Sequence, residues 1–103
     1  MRAVIIGAGK VGFNIAEILS KEGHDVIVVE HNEERAQIVE DNLDVQVIVG
    51  NGASSKILDK VDIRNVNLMV AVTESDELNM LACMLAKQNG VSRTVARVRD
   101  PDY

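Results

Sequence analysis

Five short runs of Val, Ile, Leu and Ala recur along the chain, separated by longer stretches whose apolar positions follow helical spacing. The runs cover residues 3–6, 26–29, 45–49, 68–72 and 94–98. Most are apolar at every position rather than every second one, as expected of strands covered on both faces in a parallel sheet. The first intervening stretch, residues 11–21, is apolar at Val11, Ile15, Ile18 and Leu19, and Gly23 stands where a helix-terminating glycine belongs. Residues 33–42 follow Asn32, a good N-cap, and place Glu33 and Glu34 in the first turn, where the helix dipole favours acids. Residues 54–60 form a shorter candidate, and residues 74–89 a long one that closes at Gly90. The alternation predicts βαβαβαβαβ with right-handed crossovers: an α/β, doubly wound parallel β-sheet flanked by helices.

The turn after the first strand carries the chemistry. Gly7, Ala8, Gly9, Lys10, Val11 and Gly12 read G-x-G-x-x-G, a weak pattern alone, but here it leaves a buried strand and opens an amphipathic helix. In that setting Gly7 permits the tight turn, Gly9 lets the backbone approach a pyrophosphate, and Gly12 allows close packing of the helix. The phosphates would then meet the free N–H groups of the first helical turn. A P-loop is excluded, since that motif needs four residues between its glycines followed by Lys-Ser/Thr. Glu30 ends the second strand about twenty residues on, where a carboxylate accepts hydrogen bonds from both adenosine ribose hydroxyls and repels a 2′-phosphate. This makes the fold Rossmann-like and the expected ligand NAD(H). Because ADP and ATP present the same diol, either is possible at the same site.

Other candidates have two readings each. His31 and Asn32 either line the adenine edge or cap the next helix, capping being the simpler role for Asn32. Asn51 and Gly52 follow the third strand; Asn51 either bonds base or ribose or belongs to an ordinary turn. Thr73 and Glu74 follow the fourth strand across the switch point, placed to border the distal half of a dinucleotide, while Asp76 and Glu77 read equally as acids at a helix start. Arg97 and Arg99 lie two apart near the end of the fifth strand and so share a side, facing either a phosphate-bearing cleft or open solvent.

Composition narrows the partners. Length suits one domain, residues 1–103, and a 47% apolar content suffices for a core that must be aliphatic, as Phe13 and Tyr103 are the only aromatics. Five strands where a complete dinucleotide fold usually has six make the chain read as a fragment of a longer one. A net charge of −5 argues against nucleic acid. Cys83 alone permits no internal disulfide and no Cys-rich metal site, which favours a reducing compartment. With no apolar run near the ~18–20 residues of a membrane span and no signal peptide, the expectation is a cytoplasmic domain that reaches a membrane only through a partner. Between Leu78 and Ala86 only Asn79 interrupts an apolar set, so that helix is expected to bury a second face against another subunit or domain.

The segments MRAVIIGAGKVG, VIVVEHNEER, GNGAS, LMVAVTESDELNMLAC and VARVRDPDY, in this order across essentially the whole chain, resemble the RCK/KTN domain, the N-terminal nucleotide-binding half of Trk-type potassium-uptake regulatory subunits. The resemblance implies a cytoplasmic regulator of a potassium transporter or channel membrane subunit, assembled as dimers or rings. Bound NAD(H), ATP or ADP would change the shape of the assembly. It further implies that residues 7–11 hold phosphates, Glu30 the ribose, Thr73 and Glu74 the distal half and Arg97 a phosphate, with the helix around residues 80–85 an assembly surface. No catalytic role is expected. The competing reading is the cofactor half of an NAD-dependent dehydrogenase, although neither His24 nor His31 sits where hydride chemistry would need an acid or base. A scaffold with a vestigial glycine loop is the third.

Overall fold

A computed structural model describes residues 1–102; Tyr103, the last residue of the VARVRDPDY segment, lies outside the described residues. The elements are β1 (Arg2–Ile6), α1 (Lys10–Lys21), β2 (Asp25–Glu30), α2 (Glu33–Asn42), β3 (Gln46–Val49), α3 (Ser55–Lys60), β4 (Leu68–Ala71), α4 (Asp76–Gln88) and β5 (Arg93–Ala96). All strand pairs are parallel and run in the order β3-β2-β1-β4-β5. The chain thus winds outward from β1 in both directions, and the point of reversal lies between β1 and β4, as expected of a Rossmann-like fold.

The period-2 geometry of the central strands divides the core in two. Val4, Ile6, Ile27, Val29, Met69 and Ala71 meet Ile57 and Leu58 of α3 and Ala82, Cys83 and Ala86 of α4. Their alternating neighbours Ile5, Val26, Val28 and Val70 meet Ala16 of α1 and Val39 of α2 on the other face. This double covering is why β1, β2 and β4 are continuously apolar. The same expectation fails at the edges: residues of β3 and β5 are half-buried or exposed. Each edge strand lacks a neighbour on one side, so its side chains are only partly covered. β5 also stops at Ala96, short of the expected 98, leaving Arg97 beyond the regular ladder.

Helix starts follow local chemistry. Asn32 Oδ1 accepts from Arg35 N–H at 2.9 Å, resolving its role as a cap. Ser75 Oγ accepts from Leu78 N–H at 3.1 Å, so α4 begins at Asp76 rather than at residue 74. A 3₁₀ turn, Ile63–Asn65, not anticipated from the pattern, joins α3 to β4. Among the described residues no helix is long and apolar enough to cross a membrane.

Candidate functional site

The C-terminal ends of β1, β2 and β4 surround the switch point, and the glycine loop lies at its centre. Gly7 has φ +103°, a left-handed conformation, and a Cβ there would also lie 3.0 Å from Thr73 N. Gly12 is more constrained: its Cβ would fall 1.8 Å from the Gly7 carbonyl oxygen, so α1 packs onto the loop only without a side chain at that position. A Cβ at Gly9 would meet nothing within 4 Å. Open space is therefore kept in front of Gly9, which caps α1 without a side chain. The first amides of α1 are left to an external acceptor.

Glu30 ends β2 almost fully buried, at 3% exposure. Its Oε1 accepts from Ala8 N–H at 2.7 Å and its Oε2 from Asn32 N–H at 2.9 Å, with His31 Nδ1 3.1 Å from Oε2. The carboxylate thus ties β2 to the glycine loop, a structural role the spacing did not reveal. Two carboxylate oxygens offer about four acceptor positions, so capacity remains for hydroxyl donors at the cavity edge that Glu30 lines. The His31 ring is largely exposed beside it. On the far side of β2, Asn51 Oδ1 accepts from Ala53 N–H at 2.8 Å and so shapes its own turn. Gly52 is packed tightly, since a Cβ there would meet Ile6 Cγ2 at 2.3 Å.

Asn79 carries the opposite wall, and its significance was not legible from an apolar run it merely interrupted. It is fully buried. Its Oδ1 accepts from Thr73 N–H at 2.9 Å and from Thr73 Oγ1 at 2.7 Å. Its Nδ2 donates to Thr73 O at 3.1 Å and Arg97 O at 2.9 Å. Arg97 Nη2 donates to Val72 O and Thr73 O, and its buried Nε has no partner among the described residues. Arg99 Nη2 donates to Glu74 O, while Arg99 N–H and Asp100 N–H donate to the Asp76 carboxylate, holding its pKa below the ordinary carboxylate value. Both arginines lie beyond the end of β5, so the strand spacing does not place them; both nonetheless brace the β4–α4 loop. Cys83, by contrast, is buried, which raises its pKa and keeps the thiol protonated.

Two cavities meet over the strand ends. One, of about 480 Å³, is lined by Ile6, Glu30, Asn51, Gly52, Thr73 and Leu78 among others. The second, of about 380 Å³, lies over Gly7, Gly9, Lys10 and Val11 and is bordered by Arg35, Arg97 and Arg99. Four basic side chains thus surround the glycine loop in a chain of net charge −5. Arg35, three residues into α2, was not among the residues singled out from the sequence; only the return of α2 beside the loop brings it there. The candidate residues therefore lie around these two cavities, except Ala8, which borders an adjoining depression, and Gly12, which lines neither.

A cleft of this kind serves many unrelated proteins, and relatives narrow the field. The chain is 50% identical over 110 aligned residues to "Trk system potassium uptake protein trkA homolog 1" of Methanosarcina mazei. The alignment covers 100% of this chain but 26% of that protein, so the chain spans about a quarter of its relative. Among solved structures it is similar to the AMP-bound Kef CTD of Shewanella denitrificans, with TM-score 0.77 and 19% identity over 92% of this chain and 57% of that one. It is likewise similar to the GsuK channel bound to NAD, with TM-score 0.71 and 16% identity over 91% of this chain and 21% of that one. At those identities the structural likeness speaks for the fold alone. The TrkA-N domain family matches residues 3–103, nearly every position from the first strand onward. With that extent of match around this glycine loop and acid, the chain belongs to the TrkA-N domain family.

Proposed function

We propose that this domain binds an adenine nucleotide, NAD(H) foremost with ATP or ADP possible at the same site, and regulates a potassium transporter or channel without being an enzyme. One observation carries the reading: Gly9 leaves open the space in front of the uncapped first turn of α1, while the buried Glu30 borders the same cavity. No intramolecular contact requires a glycine at position 9; an approaching phosphate would. The residues assigned are Gly7, Ala8, Gly9, Lys10, Val11 and Gly12 around the phosphates, and Glu30 and His31 beside the adenosine ribose. Asn51 and Gly52 take the adenine end, and Thr73, Glu74 and Arg97 the distal side. The Trk naming of the Methanosarcina mazei relative supports the potassium-transport context, and the ligands named for the Kef and GsuK structures support a nucleotide.

The regulatory step is a difference in affinity between two states of an assembly. Thr73 and Glu74 border the cavity, and Asn79 bonds Thr73 to α4. A change at the loop therefore bears directly on α4, whose Leu81 and Met84 stand exposed. We assign that face to homo-oligomer contact and place the domain on the cytoplasmic side, held to the membrane through its transport partner. We further read residues 1–103 as one domain of a longer protein.

Glu30→Ala tests the reading. Titration calorimetry should find NAD and ATP weakened alike, by about tenfold or more for a lost charged hydrogen-bond acceptor, because both present the same diol. Unchanged affinity would remove the carboxylate from the ribose. The dehydrogenase alternative predicts NAD reduction by the full-length protein with alcohols or hydroxy acids; turnover above background would replace the regulatory reading.

A further inference from the structure

We infer that Arg35 and Glu74 form a latch across the phosphate groove, in which the Glu74 carboxylate stands where the second phosphate of a nucleotide would bind. On this view Arg35 selects ligands that carry at least two phosphates. The inference rests on the nucleotide reading of this cavity.

The two residues come from opposite sides of β1. Arg35 belongs to the first turns of α2 and Glu74 to the loop between β4 and α4, and Arg35 Nη2 lies 3.5 Å from Glu74 Oε1. Both line the cavity over Gly7, Gly9, Lys10 and Val11. Arg35 also borders the adjoining depression formed by Ala8, Gly9, Lys10, Phe13 and Asn14, so its side chain spans the mouth of the loop. The pair is long for a charge-assisted bond, and its side chains are 46% and 78% exposed. Exposed pairs of this kind hold weakly. The Arg35 guanidinium makes this ion pair but has no hydrogen-bond partner among the described residues.

A phosphate at the glycine loop has what Glu74 lacks. Its oxygens match the planar guanidinium fork in two parallel bonds, and it is held at the same time by the first amides of α1. Arg35 therefore exchanges a single long contact with a carboxylate for a bidentate one with phosphate. Glu74, left beside an anion, is repelled. The loop that carries it is tied through Thr73 to Asn79 and through the Glu74 carbonyl to Arg99. Release of the latch thus bears on the segment that joins the cavity to α4 and to the chain beyond β5. A nucleoside has nothing to offer Arg35 and leaves the latch closed.

The test is calorimetry on the full-length protein with adenosine, AMP and ADP, using wild type, Arg35→Gln, Glu74→Gln and the double variant. ADP avoids any role of Glu74 at the distal half of a dinucleotide. Arg35→Gln should lower the ratio of ADP to AMP affinity by roughly tenfold and leave the ratio of AMP to adenosine affinity unchanged. Glu74→Gln should raise the ADP to AMP ratio about threefold, the range of an exposed ion pair, because it removes an internal competitor. In the double variant the gain from Glu74→Gln should vanish. An unchanged ADP to AMP ratio in Arg35→Gln, a weakening of ADP by Glu74→Gln, or full additivity of the two would overturn the latch. If those results came with Glu30-dependent ADP binding, the latch alone would fail. Absence of adenosine, AMP and ADP binding by the wild type would overturn the nucleotide reading with it.

Discussion

Gly12 separates two opposing residue-scale effects. Glycine within a helix costs about 1 kcal/mol relative to alanine, so Gly12→Ala ought to stabilise α1 on propensity alone. The backbone forbids it: the added Cβ would lie 1.8 Å from the Gly7 carbonyl oxygen and 3.3 Å from Val72 Cγ2. Neither the turn nor the helix can yield without moving the other, and overpacking of this order costs ~3 kcal/mol. Urea denaturation of Gly12→Ala should find that net loss, and an equal or higher midpoint would contradict the packing. Gly9 differs, because a Cβ there meets nothing. Packing within the protein demands a glycine at position 12 but not at position 9. Glu30 combines both demands in one side chain, bracing the Ala8 amide while bordering the cavity.

At the scale of elements, the decisive joint lies between α4 and the loop before it. Asn79 sits fully buried in the second turn of α4 and makes four hydrogen bonds, three to Thr73 and one to Arg97. Leucine at this position would complete the apolar run, as helix periodicity invites, but would strand the Thr73 amide and the Arg97 carbonyl. Stranding buried polar groups outweighs the apolar transfer gained. Asn79→Leu should lower unfolding stability by about 2–3 kcal/mol, measured in urea, and should loosen the segment from Arg97 to Asp100 in hydrogen exchange. A neutral substitution would mean the network is dispensable. The edge strands teach a related lesson. β3 and β5 carry runs like those of the central strands but are only partly covered, since coverage depends on the number of neighbours rather than on the run itself.

For the whole molecule, charge and apolar surface are distributed against the average. The chain is acidic overall, yet Lys10, Arg35, Arg97 and Arg99 line one cavity against the two acids Glu30 and Glu74, a local excess of positive charge. Leu81 and Met84, three apart on α4, are 47% and 60% exposed, and Val95 on β5 is 52% exposed. On the proposal that this face joins subunits, light scattering should give a dimer or larger assembly for the wild type. Met84→Glu should reduce it to a monomer whose intrinsic unfolding free energy stays within ~0.5 kcal/mol of the wild-type subunit, as expected for an exposed site. A monomeric wild type at high concentration would refute the interface.

Period and punctuation in the sequence were enough to determine the parallel α/β order, the glycine turn and the acid at the end of β2, because each is a local consequence of residue type and spacing along a few turns of chain. Tertiary structure alone decided which polar residues meet. Arg35 reaches the loop because α2 folds back beside α1, Glu74 because β4 lies next to β1, and Asn79 reaches Arg97 because β5 lies next to β4. Contacts such as that between Arg35 and Glu74, 39 positions apart, have no signature in local periodicity; they exist only once right-handed crossovers have brought the strand ends together.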